Sequence, residues 1–232
     1  MTERTSKKSS AAASAPAGRR DESRQAIVER IVRAAAKVFA HAGFDGATMT
    51  DIAQEADLPK PNVNYYFRDK LVLYRRVLHD VQAIWAEPLD LFHPDADPAE
   101  TIEAYIRAKL DLSRRFAIES RVFANEMLHG APLIGHYLRT DYNRRISRVW
   151  ETFESWASKG LIDPVDPKHL MIQLWAATQT YADHEPQVSA LLGAKDVADV
   201  EFEAAAAQLA AMVVKGIGVT RPRAQRRAKL LG

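Results

Sequence analysis

Two stretches of this 232-residue chain carry polar side chains at spacings that suit recognition chemistry. In Lys60-Pro-Asn-Val-Asn-Tyr-Tyr66, Val63 is spaced for a core and Lys60, Asn62, Asn64, Tyr65 and Tyr66 remain available to the outside. An Asn amide makes paired bonds to an adenine edge, Lys suits guanine or a phosphate, and Tyr hydroxyls suit phosphate oxygens. Polar outer faces on short helix pairs are also common without any such role. The second stretch places Trp175, Gln179 and Asp183 at i, i+4 and i+8, one stripe of a helix that is otherwise apolar nearly all round. An indole offers a flat stacking surface, and an amide offers one donor and one acceptor, which matches a planar ring with adjacent N–H and C=O groups. The alternative is that Gln179 bonds a neighbouring backbone group or faces a dimer mate, since an unpaired buried amide costs about 1–3 kcal/mol. Trp85 is similarly placed to face a pocket, with plain core packing as its alternative.

Enzyme chemistry finds little support. The seven histidines include no His-Glu-x-x-His pair, and there is neither a Gly-rich phosphate loop nor a Gly-x-Ser-x-Gly elbow. Asp163, Asp166 and His169 read as loop and helix-capping groups. A cluster of Tyr181, Asp183 and His184 is the one alternative catalytic arrangement. With no cysteine, a disulfide scaffold, an iron–sulfur centre and a cysteine nucleophile are excluded.

The elements that must hold these groups read as helices throughout. Ile27, Ile31, Ala35 and Val38, with Val28, Val32 and Phe39, recur at helical spacing from Asp21 or Ser23 to a stop at Gly43. Thr48 or Thr50 caps a short second helix, a turn at Asp57–Leu58 leads to a third over about 60–67, and Asp69 caps a long fourth that breaks near Pro88. Ile52, Ala53, Leu58, Val63 and Phe67 are spaced to form the core of a helix-turn-helix. Further helices are expected at about 99–115, 118–128, 133–159, 167–184 and 198–216, with 186–196 as a separator. No window alternates as a strand would. The fold class is all-α: an N-terminal three-helix helix-turn-helix unit followed by a helical ligand-binding and dimerisation domain.

Charge is distributed to match. The net +2 averages a basic front (+5 over residues 1–79), an acidic body (−8 over 80–216) and a tail with five basic residues. The expected organisation is a disordered basic arm over 1–21, a DNA-binding unit over 22–68, a ligand-binding and dimerisation unit over 69–219, and a basic tail over 220–232. No run approaches the roughly 18 apolar residues of a membrane span, and the N-terminus lacks the apolar stretch of a signal peptide. A cytoplasmic protein with no membrane partner is expected.

Phe39-Ala-His-Ala-Gly-Phe-Asp-Gly-Ala-Thr-Met-Thr-Asp-Ile-Ala-Gln-Glu-Ala56, followed by Tyr65-Tyr-Phe-Arg-Asp-Lys-Leu71, resembles the DNA-binding domain of TetR-type repressors. The resemblance implies that Thr48 is a phosphate-binding hydroxyl, that Lys60, Pro61, Asn62, Asn64, Tyr65 and Tyr66 occupy the recognition helix and bind DNA, and that Lys70, matching the family's lysine opening the fourth helix, is a DNA-binding residue with them. Two positions depart from the pattern. Asp57 replaces the usual turn Gly, which Asp tolerates because it enters the left-handed region more readily than most residues. Pro59 replaces the usual Ser or Thr cap and supplies no side-chain bond.

Further segments, including Trp85-Ala-Glu-Pro-Leu, Tyr105-Ile-Arg-Ala-Lys-Leu, Arg121-Val-Phe-Ala-Asn-Glu-Met-Leu and Trp175-Ala-Ala-Thr-Gln-Thr-Tyr-Ala-Asp, are similar to one branch of that family, the pyrimidine-utilisation (Rut-type) regulators. That resemblance implies a repressor without a cofactor, whose effector is uracil or thymine. It also implies a homodimer built on the last two long helices, acting on a palindromic double-stranded DNA operator. Trp85, Trp175, Gln179 and Tyr181 are then the expected ligand contacts, with Phe123 beside them. A TetR-type regulator of another flat amide or aromatic compound is the alternative.

Overall fold

The computed structural model describes residues 17–219, and among these the chain forms helices and turns without a strand. The arm expected over 1–21 lies outside the described residues up to Ala17, from which the first helix already runs, and the tail over 220–232 lies outside them entirely.

Helix α1 (Ala17–Gly46) buries Ile31, Ala35 and Phe39 along one face. It is interrupted where the sequence predicts a stop, because Gly43 sits at φ 67 in the left-handed region. Helix α2 (Met49–Glu55) starts from a complete capping box. The Thr48 hydroxyl accepts from the Asp51 backbone N–H, and the Asp51 carboxylate accepts from that of Thr48. The following turn rests on Asp57 at φ 50. Its N–H donates to Gln54 and that of Leu58 to Ala53, a Schellman pairing that satisfies the end of α2. Helix α3 (Lys60–Tyr66) begins after Pro59 with no side-chain cap, as expected, and α4 (Lys70–Ala86) is capped by the Asp69 carboxylate. A 3-10 turn over Glu87–Leu91, with Pro88 in its first positions, ends α4.

In the body, α5 (Pro98–Arg115) packs on α9 (Pro167–Asp183) and α11 (Asp199–Gly216), while α6 (Ala117–Leu128) packs back on α1 and α4. The single helix expected at 133–159 is a composite. A short α7 (Gly135–Tyr137), a π-helical turn over Leu138–Tyr142 and α8 (Asn143–Ser158) follow one another without a break. The segment read as a separator at 186–196 instead holds α10 (Glu185–Leu192). Pro186 falls in its first turn, where the missing N–H has no helical partner to lose, so this proline starts a helix rather than blocking one.

Two hydrophobic clusters organise the molecule. One joins α1–α4 to Leu112, Val122 and Ile134 of the body, and the other joins the 3-10 turn, α5, α8, α9 and α11. The first cluster therefore runs across the expected boundary at residue 68 through α4 and α6. Among the described residues no helix is long and apolar enough to cross a membrane.

Candidate functional site

The expected helix-turn-helix core is present: Ile52, Ala53, Val63 and Phe67 are buried and Leu58 is half-buried. With Val63 turned inward, α3 leaves Lys60, Pro61, Asn62 and Asn64 exposed. Tyr65 is 77% exposed, and its ring meets the half-buried Tyr66 edge to face at 5.1 Å. Lys60 Nζ donates to Thr50 Oγ1 at 3.0 Å, which lays the ammonium along the α2–α3 junction.

Two residues assigned to DNA by resemblance carry structural duties. The Thr48 hydroxyl caps α2 and also donates to Asp51 Oδ2 at 2.7 Å. Lys70 Nζ donates to the carbonyls of Phe44 (2.6 Å), Ala47 (2.8 Å) and Asp45 (3.3 Å), and stands 4.5 Å over the Phe44 ring. An ammonium has three donors and all are engaged, so Lys70 fastens the start of α4 to the end of α1 and presents no free donor outward. The three carbonyls follow within four residues of the kink at Gly43.

The second expected stripe opens on a cavity of about 300 Å³ between α4, α5, α6, the π turn and α9. This lies at the lower end of the range for small-molecule sites, roughly 300–1,000 Å³. Trp85, Phe123, Trp175 and Gln179 line it, so four of the five residues singled out from sequence come together. Tyr181 does not join them. Two residues beyond Gln179 it lies about 200° further round the helix, where its ring packs at 5.6 Å against Phe202 of α11. Asp183 accepts a hydrogen bond from Ser120 Oγ at 2.5 Å.

The chamber's fittings are specific. Trp175 Nε1 donates to the hydroxyl of the buried Tyr105 at 3.0 Å, which fixes the plane of its indole, and Tyr142 lies against it at 5.9 Å between ring centres. The Gln179 side chain makes no hydrogen bond with the described residues, and Trp85 Nε1 is buried without a partner. Lys109 of α5 is only 3% exposed, and its ammonium sits 3.6 Å from the centre of the Trp85 ring, a cation–π arrangement that partly replaces lost hydration. Burial pushes the Lys109 amine down to about 7, while the charge of Asp183 acts in the opposite direction. Burial likewise raises the Asp183 carboxyl, opposed by the Ser120 hydrogen bond and by nearby cations including His184, Arg121 and Lys109. The Tyr142 hydroxyl is raised by burial, so it stays a neutral donor and acceptor.

Sequence reasoning missed Gln82, Lys109, Met127, Tyr137, Leu138 and Tyr142, all of which line the chamber. A signal for Lys109 exists, because it continues the buried face that carries Ile102, Tyr105 and Ile106. None exists for Tyr137, Leu138 and Tyr142, whose positions depend on the extra residue per turn that a π segment inserts. Among the described residues no cluster of His, Asp and Glu could hold a metal ion.

Residues 31–77 match the family described as bacterial regulatory proteins, tetR family, and residues 78–220 match that described as YcdC-like protein, C-terminal region. The chain is similar to the HTH-type transcriptional regulator RutR of Escherichia coli K12, with 38% identity over 89% of this chain and 96% of that one. Among solved structures, it is similar to a putative transcriptional regulator from Streptomyces coelicolor (TM-score 0.60, 25% identity, 84% of this chain and 98% of that one). It also shares its fold with AibR in complex with isovaleryl coenzyme A and operator DNA (TM-score 0.61, 19% identity, 80% of this chain and 97% of that one).

Proposed function

This chain belongs to the tetR family of bacterial regulatory proteins and is a ligand-responsive transcriptional repressor rather than an enzyme; we propose that it works as a homodimer on a palindromic operator, released by a pyrimidine such as uracil or thymine. The observation that carries the pyrimidine reading is the open Gln179 amide in a chamber walled by Trp85 and Trp175. A flat ring stacks on an indole while the amide pairs with an adjacent N–H and C=O. The resemblance to the Rut-type branch implies uracil or thymine as effector, and the 38% identity to the HTH-type transcriptional regulator RutR supports that placement.

The proposed DNA contacts are the exposed groups of α3, namely Lys60, Asn62, Asn64 and Tyr65, with Pro61 setting the first turn and Tyr66 flanking them. Thr48 contributes as the cap that holds the start of α2 and Lys70 as the clamp between α1 and α4. A two-fold dimer would carry two recognition helices to successive major grooves about 34–36 Å apart. Large apolar side chains left exposed on successive helices, Ile172, Leu191, Val200 and Met212, are candidates for the mutual face.

Coupling follows from the elements. Helix α4 carries Gln82 and Trp85 at its chamber end and the Lys70 clamp at its other, a span of 17 residues or about 25 Å. Helix α6 carries Phe123 and Met127 on the chamber while packing on α1. An effector that binds the DNA-incompetent arrangement better shifts both. Weakening operator affinity a hundredfold requires about 2.7 kcal/mol of differential effector affinity. The test is a gel retardation assay with a palindromic operator: retardation that is reversed by uracil or thymine is expected. If millimolar concentrations of both neither bind nor release DNA, the pyrimidine assignment fails.

A further inference from the structure

Lys109 is not explained by packing or by an ion pair. It leaves α5 on the buried face, and its ammonium projects to the chamber over the Trp85 ring at 3.6 Å. No ion pair joins it to a carboxylate of the described residues. The carboxylate that bears on it, Asp183, acts from beyond contact while holding the Ser120 hydroxyl. The remaining polar groups lining the chamber, on Gln82, Gln179, Tyr137 and Tyr142, are neutral dipoles. A buried cation without a contacting counter-charge is costly, and the group able to complement it here is one that enters with the ligand.

The ammonium occupies a face of Trp85, so a planar ligand cannot stack on that face. A ligand stacked instead on the Trp175 side with its hydrogen-bonding edge toward Gln179 would present a ring edge to Lys109. In a pyrimidine-dione the edge oxygens flank an imide N–H, and in a pyrimidine-trione two ring oxygens flank the acidic C5–H. Loss of either proton to solvent spreads negative charge onto the two flanking oxygens and strengthens any hydrogen bond they accept from an ammonium.

We propose that Lys109 makes the chamber selective for charge, favouring acidic planar imides bound as their ring anions over neutral members of the same class. This rests on the pyrimidine reading above and narrows it. Burial that holds the free amine at about 7 is consistent with an ammonium that an arriving anion would reinforce.

Calorimetric titration of the full-length protein at pH 7 with uracil, 5-fluorouracil and barbituric acid tests the proposal. Barbituric acid, an anion at that pH, should bind about ten- to hundredfold more tightly than uracil, with the nearly uracil-sized but more acidic 5-fluorouracil between them. Lys109→Met, which keeps the stem and removes the charge, should abolish this order while changing uracil affinity by no more than about tenfold. Equal affinities in the wild type, or an order that survives in Lys109→Met, overturn the proposal. The wild-type series decides even if the variant does not fold. Binding of uracil without a charge order removes the Lys109 assignment alone, whereas binding of none of the three removes the pyrimidine reading with it.

Discussion

Replacing Lys70 with methionine distinguishes a phosphate contact from a structural clamp. In the structure the ammonium donates to Phe44, Asp45 and Ala47 carbonyls, and the Phe44 and Ala47 bonds are partly buried. Methionine keeps the length of the stem but leaves these acceptors unpaired. Hydrogen bonds to a charged group contribute roughly 1.5–3 kcal/mol, and the Asp45 bond at 3.3 Å is long and exposed. A loss of about 1.5–3 kcal/mol for the set is therefore the expected cost, read as a lower urea midpoint at fixed protein concentration. Operator affinity should fall too, because the clamp sets how α4 meets the helix-turn-helix. The salt dependence of binding separates the two roles. Each phosphate contact contributes about 0.9 to the slope of log affinity against log salt concentration. A clamp contributes none, so Lys70→Met should weaken binding by the same factor at every salt concentration. A slope reduced by about 0.9 per protomer, together with unchanged stability, would refute the structural assignment and restore Lys70 as a direct DNA contact.

Three further outcomes are expected. Tyr65→Ala should weaken operator retardation by a similar factor at every salt concentration, because a neutral hydroxyl displaces no counterion, while leaving stability within about 0.5 kcal/mol, since its side chain is largely exposed; unchanged retardation would remove Tyr65 from the interface. Gln179→Ala should reduce uracil affinity about five- to hundredfold, the worth of roughly 1–3 kcal/mol, without altering the dimer seen by sedimentation; retained calorimetric affinity would exclude the amide from the site. The Lys109 amine, at about 7 when folded against 10.5 when unfolded, binds less proton in the folded state between those values, so its contribution to stability grows as pH rises through that window. The penalty is fully present below about pH 7. The wild type should accordingly gain on Lys109→Met by on the order of 1 kcal/mol per pH unit from 7 to 10, and a constant difference in urea midpoints would contradict the burial of this amine.

The sequence by itself determined whatever depends on neighbours along the chain. Capping by Thr48 and Asp69, the left-handed turn at Asp57, the missing cap at Pro59 and the inward Val63 are all properties of a few consecutive residues, and each stands in the structure. The Trp175–Gln179 stripe was legible for the same reason, because a regular helix turns a spacing of four into a shared face. The restart of a helix at Pro186 was misread because a proline blocks a helix interior but suits its first turn, and only the register decides which applies. The remainder required the tertiary structure. Tyr181, two residues past Gln179, could already be placed away from the stripe by helical spacing, but its packing on Phe202 of α11 and the donation of Lys70 to three carbonyls of the α1 end are contacts between distant parts of the chain. Lys109 gained its character from the Trp85 ring of another helix and from burial by several elements at once. Charge, solvation and hydrogen-bond satisfaction depend on distance in space rather than along the chain, so the tertiary packing decided which polar residues are free to recognise a ligand and which hold the fold.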